Sequence, residues 1–168
     1  MSLPANTRFN QIWPFIQPAR NVDVLIVNDN SADTTTNYPN GTEIYQTYMR
    51  AQAVGLTKMP AIPDVATFVA KGYNKHAAFF GCNDASKVLI VYLPNVGYTT
   101  DSGVSTAQLE YTKQQTDALI ANGVEVATQN GDKMWPTCLK CAIESRIGGG
   151  AATPKGCGAC FKKYCYTG

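Results

Sequence analysis

Apolar residues gather in a few short, dense blocks, and the first of them sets the problem. Five of the six residues 22–27 are apolar (Val22, Val24, Leu25, Ile26 and Val27), and the run passes directly into Asn28-Asp29-Asn30-Ser31. Its length and β-branched content predict a strand buried on both faces. The segment before it, WPFIQPARN, carries two prolines and reads as extended chain. Residues 28–40, rich in Asn, Asp and Thr, read as a loop. Asn40-Gly-Thr-Glu43 then sets a helix N-cap with Glu three positions on, predicting a helix over EIYQTYMRAQAVG closed by Gly55.

Prolines 60 and 63 precede a short predicted helix over residues 64–71, stopped by Gly72. AAFFGCND leads into KVLIVYLPN, a second predicted strand ending at Pro94. Ser105-Thr-Ala-Gln108 is a further capping box. It opens a predicted helix running to Gly123, with Leu109, Leu119 and Ile120 on its inner face. GVEVAT alternates and predicts a third strand. Strands alternating with helices imply an α/β fold with a mostly parallel or mixed sheet.

From Trp135 onward the pattern changes. This stretch holds five of the six cysteines, three consecutive glycines and no long apolar period. It reads as a cysteine-tied appendage, residues 135–168, on a main body of residues 1–134.

At 168 residues one domain with a real core is expected. Charged residues make up only 15%, against roughly 25% in typical soluble domains. Asn, Thr, Ser, Gln and Tyr replace them, a surface style common in secreted proteins. A net charge of +2 supplies no broad basic field, so nucleic acid is not the expected partner. No apolar run approaches the ~20 residues of a membrane span. Six cysteines and the Asn-Gly-Thr sequon at Asn40 point to an oxidising compartment, whereas MSLPANTRFNQIWPF lacks the basic start and apolar stretch of a signal peptide. The two fit together if Met1 is not the natural beginning of the polypeptide.

Asp29 is the first candidate for chemistry. It is either the capping residue of an Asx-turn, bonding its own backbone, or a catalytic carboxylate at a strand end, where open α/β sheets place their sites. Asp33 shares the ambiguity deeper in the loop. His76 is the only histidine, and no G-x-S-x-G elbow accompanies it; Gly103-Val-Ser105-Thr-Ala107 lacks the second glycine, and Ser105 reads as an N-cap. Arg20 and Arg50 are lone arginines that could meet a phosphate but read as surface residues. Cys138-x-x-Cys141, fifteen residues, then Cys157-x-x-Cys160 falls within zinc-ribbon spacing. Cys82 and Cys165 complete an even six, which supports disulfides instead, and spacing does not choose the pairing.

Several segments taken together resemble one family. WPFIQPARNVDVLIVNDNSADT, YPNGTEIYQTYMRAQ, MPAIPDVATFV, FFGCND, LIVYLPN, STAQLEY and WPTCLKCAI…CGACFKKYC are similar, in order and over essentially the whole chain, to the C-terminal part of fungal phospholipase B, or lysophospholipase. The resemblance implies a fold shared with the cytosolic calcium-dependent phospholipases and, more distantly, patatins. It also implies a Ser-Asp dyad without histidine, with the serine in a Gly-x-Ser-Gly-Gly elbow. The family's aspartate matches Asp29, with Asn28, Asn30 and Ser31 as its supporting loop.

The serine elbow, and the arginine that the resembling family carries upstream for oxyanion and phosphate, have no counterpart in these residues. The resemblance therefore implies the C-terminal portion of a longer secreted or cell-surface enzyme, inactive alone, whose partner is the missing N-terminal part of the same domain. Its substrate would be a phospholipid or lysophospholipid met at a membrane surface, with no cofactor and no metal. The resemblance further implies that Cys82, Cys138, Cys141, Cys157, Cys160 and Cys165 are disulfide-bonded, and Asn40 is a candidate for glycosylation. The alternatives are a degenerate module that binds lipid or a partner without catalysis, or a zinc-stabilised cysteine-rich module.

Overall fold

The computed structural model describes residues 12–105, 107–147 and 153–168. Residues 1–11, which carry the start without a leader pattern, lie outside these, as do Thr106 of the second capping box and Gly148 to Gly150 of the glycine run.

Three strands form one mixed sheet in the order β1-β3-β2. β1 (Val24–Asp29) lies parallel to β3 (Leu89–Pro94), in register from Val24 opposite Leu89 to Asp29 opposite Pro94. β2 (Ala78–Phe80), which sequence reading left unassigned, pairs antiparallel on the other side of β3. The central strand is wholly apolar, with Leu89 to Tyr92 fully buried.

Helices cover both faces. On one, Ile44 and Ala51 of α1 (Thr42–Ala53) and Phe68 of α2 (Val65–Ala70) join Ala78, Phe80, Ile90 and Tyr92 in a core, with Leu25 and Val27 packed against it. Both helices form where expected, although the N-cap of α1 is Gly41 and not Asn40. Asn40 Oδ1 accepts from the N–H of Thr42 at 3.0 Å, and Asp64 caps α2 through Thr67 N–H at 2.9 Å. Between Asn40 and α1, Gly41 has φ +89°, and a Cβ there would lie 2.6 Å from the Phe68 ring, so only glycine fits this turn.

On the other face, α4 (Trp135–Glu144) and α5 (Gly158–Tyr164) pack against Phe79, Leu89 and Val91. The cysteine-rich segment is tied down by sulfur as expected, but it is also a layer of the core: the rings of Trp135 and Tyr164 lie 5.9 and 5.3 Å from that of Phe79. Cys138–Cys160 and Cys141–Cys157 clip α4 to the start of α5, and Cys82–Cys165 ties the end of the chain to the turn after β2. Cysteines three apart on a helix share a face, which is why the two C-x-x-C pairs bridge each other. The zinc-ribbon reading is thereby overturned, since it needs four thiolates and all six sulfurs are spent in disulfides.

Two further expectations are corrected. The helix expected from Ser105 begins instead at Lys113, using a second capping box formed by Thr112 and Gln115 seven residues on, and runs through Thr128 as α3. Ser105 heads only a turn, and Leu109 is 89% exposed in a loop, so nothing there would have buried the first helical turn. GVEVAT is the end of α3 rather than a strand. Val124 and Val126 alternate in either geometry, and here Val126 faces the protein while Val124 is 55% exposed. Gly123 does not stop the helix because its φ is not positive. The stop is Gln129-Asn130-Gly131, three successive left-handed residues. Ile120, expected inside, is 64% exposed.

β1 is likewise not buried on both faces. It has β3 on one side only, and Ile26, on the same face as Val24, is 52% exposed. An apolar run reports that a strand needs covering; it does not say that the same stretch of chain supplies the cover.

Asp132, in the turn between α3 and α4, pairs with Lys163 and accepts from the Tyr164 hydroxyl at 2.7 Å. Those donors, Lys163 first and then Tyr164 and the Met134 N–H, lower its carboxyl to about 2. A depressed carboxylate stabilises the fold above its unfolded pKa, near 3.9, and that contribution is lost as pH falls through about 2. Asp132→Asn is therefore expected to lower Tm at pH 6, with the gap from wild type closing between about pH 4 and pH 2. The site is partly solvated, so the loss should be at most about 1 kcal/mol, or roughly 2–4 °C. A gap that stays constant over that range would refute the assignment.

Candidate functional site

The site is built where β1 and β3 end together. Asp29, the last residue of β1, is only 1% exposed. Its Oδ1 accepts the Ser31 N–H at 2.9 Å, and its Oδ2 accepts the Tyr92 hydroxyl at 2.7 Å. Its backbone carbonyl accepts the Asn95 N–H at 2.8 Å, extending the parallel pairing one step past the strands. A carboxylate this deep is tolerable only with donors on its oxygens.

Each donor has a separate origin. The Ser31 contact is the Asx-turn expected of an aspartate at a strand end. Tyr92 comes from the neighbouring strand, two residues before the position opposite Asp29 and on the same face. Burial first, then the Asp29 charge, pushes the Tyr92 hydroxyl well above the ordinary tyrosine range, so it remains a donor. Asp33 stands close by. Ser31 Oγ and the Asn40 N–H both donate to its Oδ2 at 3.1 Å. Burial raises the Asp33 carboxyl and the negative charge of Asp29 adds to the rise, while the Asn40 and Ser31 donors work against it.

The structure thus gathers Asp29, Ser31, Asp33 and Tyr92. Ser31 serves through its backbone. Asn28 and Asn30, expected as support, are exposed and face the other side of the sheet, where they line a cleft of about 430 Å³ with Leu93, Leu119, Asn122 and Val126. Asn122 anchors that cleft's rim by accepting from the N–H groups of Tyr98 and Thr99 at 2.8 and 3.0 Å. Asn40 Oδ1 is occupied at the start of α1, also taking the Thr42 hydroxyl at 2.6 Å. Glycan attachment would use Nδ2 instead. His76 bonds the Ala77 carbonyl through Nδ1 at 2.8 Å and packs edge-on to Tyr73. Arg20 and Arg50 are exposed in the last turns of their helices.

Tyr92 is the residue of this cluster that sequence reading missed. One signal was available: a tyrosine in a fully apolar strand carries a hydroxyl that must find a partner once buried. Which partner depends on the β1–β3 register. Chemically, a carboxylate can take a proton as well as accept hydrogen bonds. The Tyr92 hydroxyl donates to it here, and Ser31 turns its own hydroxyl to Asp33.

Residues 6–168 match the family described as lysophospholipase catalytic domain. Lysophospholipase 2 of Aspergillus fumigatus is 46% identical over 167 residues, which cover 92% of this chain and 28% of that protein. A lysophospholipase of Arthroderma benhamiae is 46% identical over 168 residues, 92% of this chain and 26% of its own length. Lysophospholipase 3 of Saccharomyces cerevisiae is 38% identical over 173 residues, 94% of this chain and 25% of its length. The chain thus spans about a quarter of the length of these curated relatives. No solved structure matches it.

Proposed function

Because this chain belongs to the lysophospholipase catalytic-domain family, we propose that it is the C-terminal portion of a lysophospholipase or phospholipase B, supplying the aspartate of a Ser-Asp dyad whose serine lies in another part of the polypeptide. The observation that carries this is Asp29, held at the shared end of two parallel strands by donors on both oxygens. In this reading the sheet is one part of a patatin-like, cytosolic-phospholipase-like domain. The uncovered apolar side chains support it. Ile26 on the outer strand and Ile120 and Val124 on α3 form surfaces that a complete domain would bury.

In the reaction, Asp29 takes the proton of the serine hydroxyl as its oxygen attacks the acyl carbonyl of a phospholipid or lysophospholipid. The carbon–oxygen ester bond breaks, the proton passes to the departing alcohol, and an acyl-serine remains. Asp29 then takes a proton from water, whose oxygen attacks the acyl-serine, and the serine recovers its proton as the fatty acid leaves. Three disulfides are compatible with a secreted or cell-surface setting, and a glycan on Asn40 would belong to the same setting.

A second reading draws on the Ser31–Asp29 bond, which a purely structural turn would also make. On that reading the chain is a degenerate module that binds lipid or a partner without catalysis. One assay separates them. The 168-residue chain alone is expected to release no fatty acid from a lysophospholipid, whereas the complete polypeptide, carrying the serine elbow, hydrolyses it. Hydrolysis by the isolated chain would sink the outside serine; an inert complete polypeptide would favour the binding module.

A further inference from the structure

We propose that Tyr92 is the positioning residue of Asp29, its buried hydroxyl fixing Oδ2 so that the carboxylate keeps one orientation toward the serine proton it receives. This rests on the reading of Asp29 as the base.

The turn after β1 needs only one carboxylate oxygen, and Ser31 supplies its donor. The second oxygen is held from a different element, across the sheet, at 2.7 Å. Hydrogen bonds from a hydroxyl to a carboxylate are short and strong when both are removed from water. The donor is itself immobile. Tyr92 is fully buried, with its ring packed edge-on against Phe68 at 5.3 Å and Phe80 at 6.1 Å. The aromatic core therefore sets where the hydroxyl stands, and the hydroxyl sets where Oδ2 stands. For packing alone a phenylalanine would serve, and a buried hydroxyl is costly unless it is bonded.

Two measurements test the assignment. In the 168-residue chain, a slowly exchanging, downfield tyrosine hydroxyl proton should be visible by NMR and absent from both Tyr92→Phe and Asp29→Asn. In the complete enzyme, Tyr92→Phe should lower kcat by about 10- to 100-fold with KM nearly unchanged, as expected for a misplaced catalytic group. A merely structural role would lower Tm and leave kcat of the folded enzyme at its wild-type value.

A wild-type chain without the hydroxyl signal overturns the proposal whether or not the variant folds. So does a Tyr92→Phe enzyme with wild-type kcat beside an inactive Asp29→Asn. An Asp29→Asn enzyme that keeps its activity instead overturns the base reading, and the inference with it.

Discussion

Replacing Asp29 by Asn in the complete enzyme is expected to lower kcat/KM on a lysophospholipid by roughly 10³-fold or more, near the upper range for loss of a general base. That corresponds to about 4 kcal/mol of transition-state stabilisation. On the proposed reading the magnitude is large because a Ser-Asp dyad would have no histidine to share the proton. The substitution should leave the fold intact. Asparagine keeps the shape, and its amide oxygen can still accept the Ser31 N–H. Its NH2 group then meets Tyr92, whose hydroxyl can rotate to accept where it had donated at 2.7 Å. Steady-state kinetics beside a thermal melt checks both halves of the prediction. Activity within about tenfold of wild type in a folded variant would remove Asp29 from the chemistry and leave it as a turn residue.

The largest effect on stability is expected from the strap at the end of the chain. Cys82 and Cys165 are 83 residues apart in sequence, with their Cα atoms 6.2 Å apart. Closing a loop of that length restricts the unfolded chain by about 4.5 kcal/mol, against about 3 kcal/mol for each of the two shorter bridges. Beyond the strap, Cys165 lies beside Phe79 and the Tyr166 N–H donates to the Phe79 carbonyl at 2.8 Å, so the last residues join the sheet next to β2. Cys82→Ala with Cys165→Ala should cost about 4 kcal/mol in urea denaturation. That is a third or more of the stability typical of a domain. A loss below about 1 kcal/mol would mean that packing of Phe161 and Tyr164, rather than sulfur, holds α5 in place.

Much of the local structure was legible in the residues. The Asn40-Gly-Thr-Glu43 stretch, prolines 60 and 63 and the stops at Gly55 and Gly72 marked α1 and α2, because each starts or ends a helix through atoms within a few positions. The apolar runs marked β1 and β3 for the same local reason. Where two equivalent signals competed, local reading chose wrongly. Ser105-x-x-Gln108 and Thr112-x-x-Gln115 are the same capping box, and only the sheet, which buries Asn122 and Val126 but not Leu109, decides which one starts α3. Val124 and Val126 show the same limit, since two valines two apart fit a strand or opposite sides of a helix.

By itself, the sequence determined the α/β class, the family, and the placing of Asp29 at the end of a strand, all of which depend on short-range pattern or on residue identity in order. The tertiary structure alone decided what surrounds that carboxylate. The parallel register of β1 on β3 brings Tyr92 to Oδ2 from 63 residues away, and the packing of α3 makes a cleft on the opposite face, which Asn28 and Asn30 line. It also decided which cysteines meet, because Cys138 and Cys160 are joined by the packing of two helices and not by their spacing. Register and packing are settled by the summed burial of many side chains at once, and no single residue carries that sum.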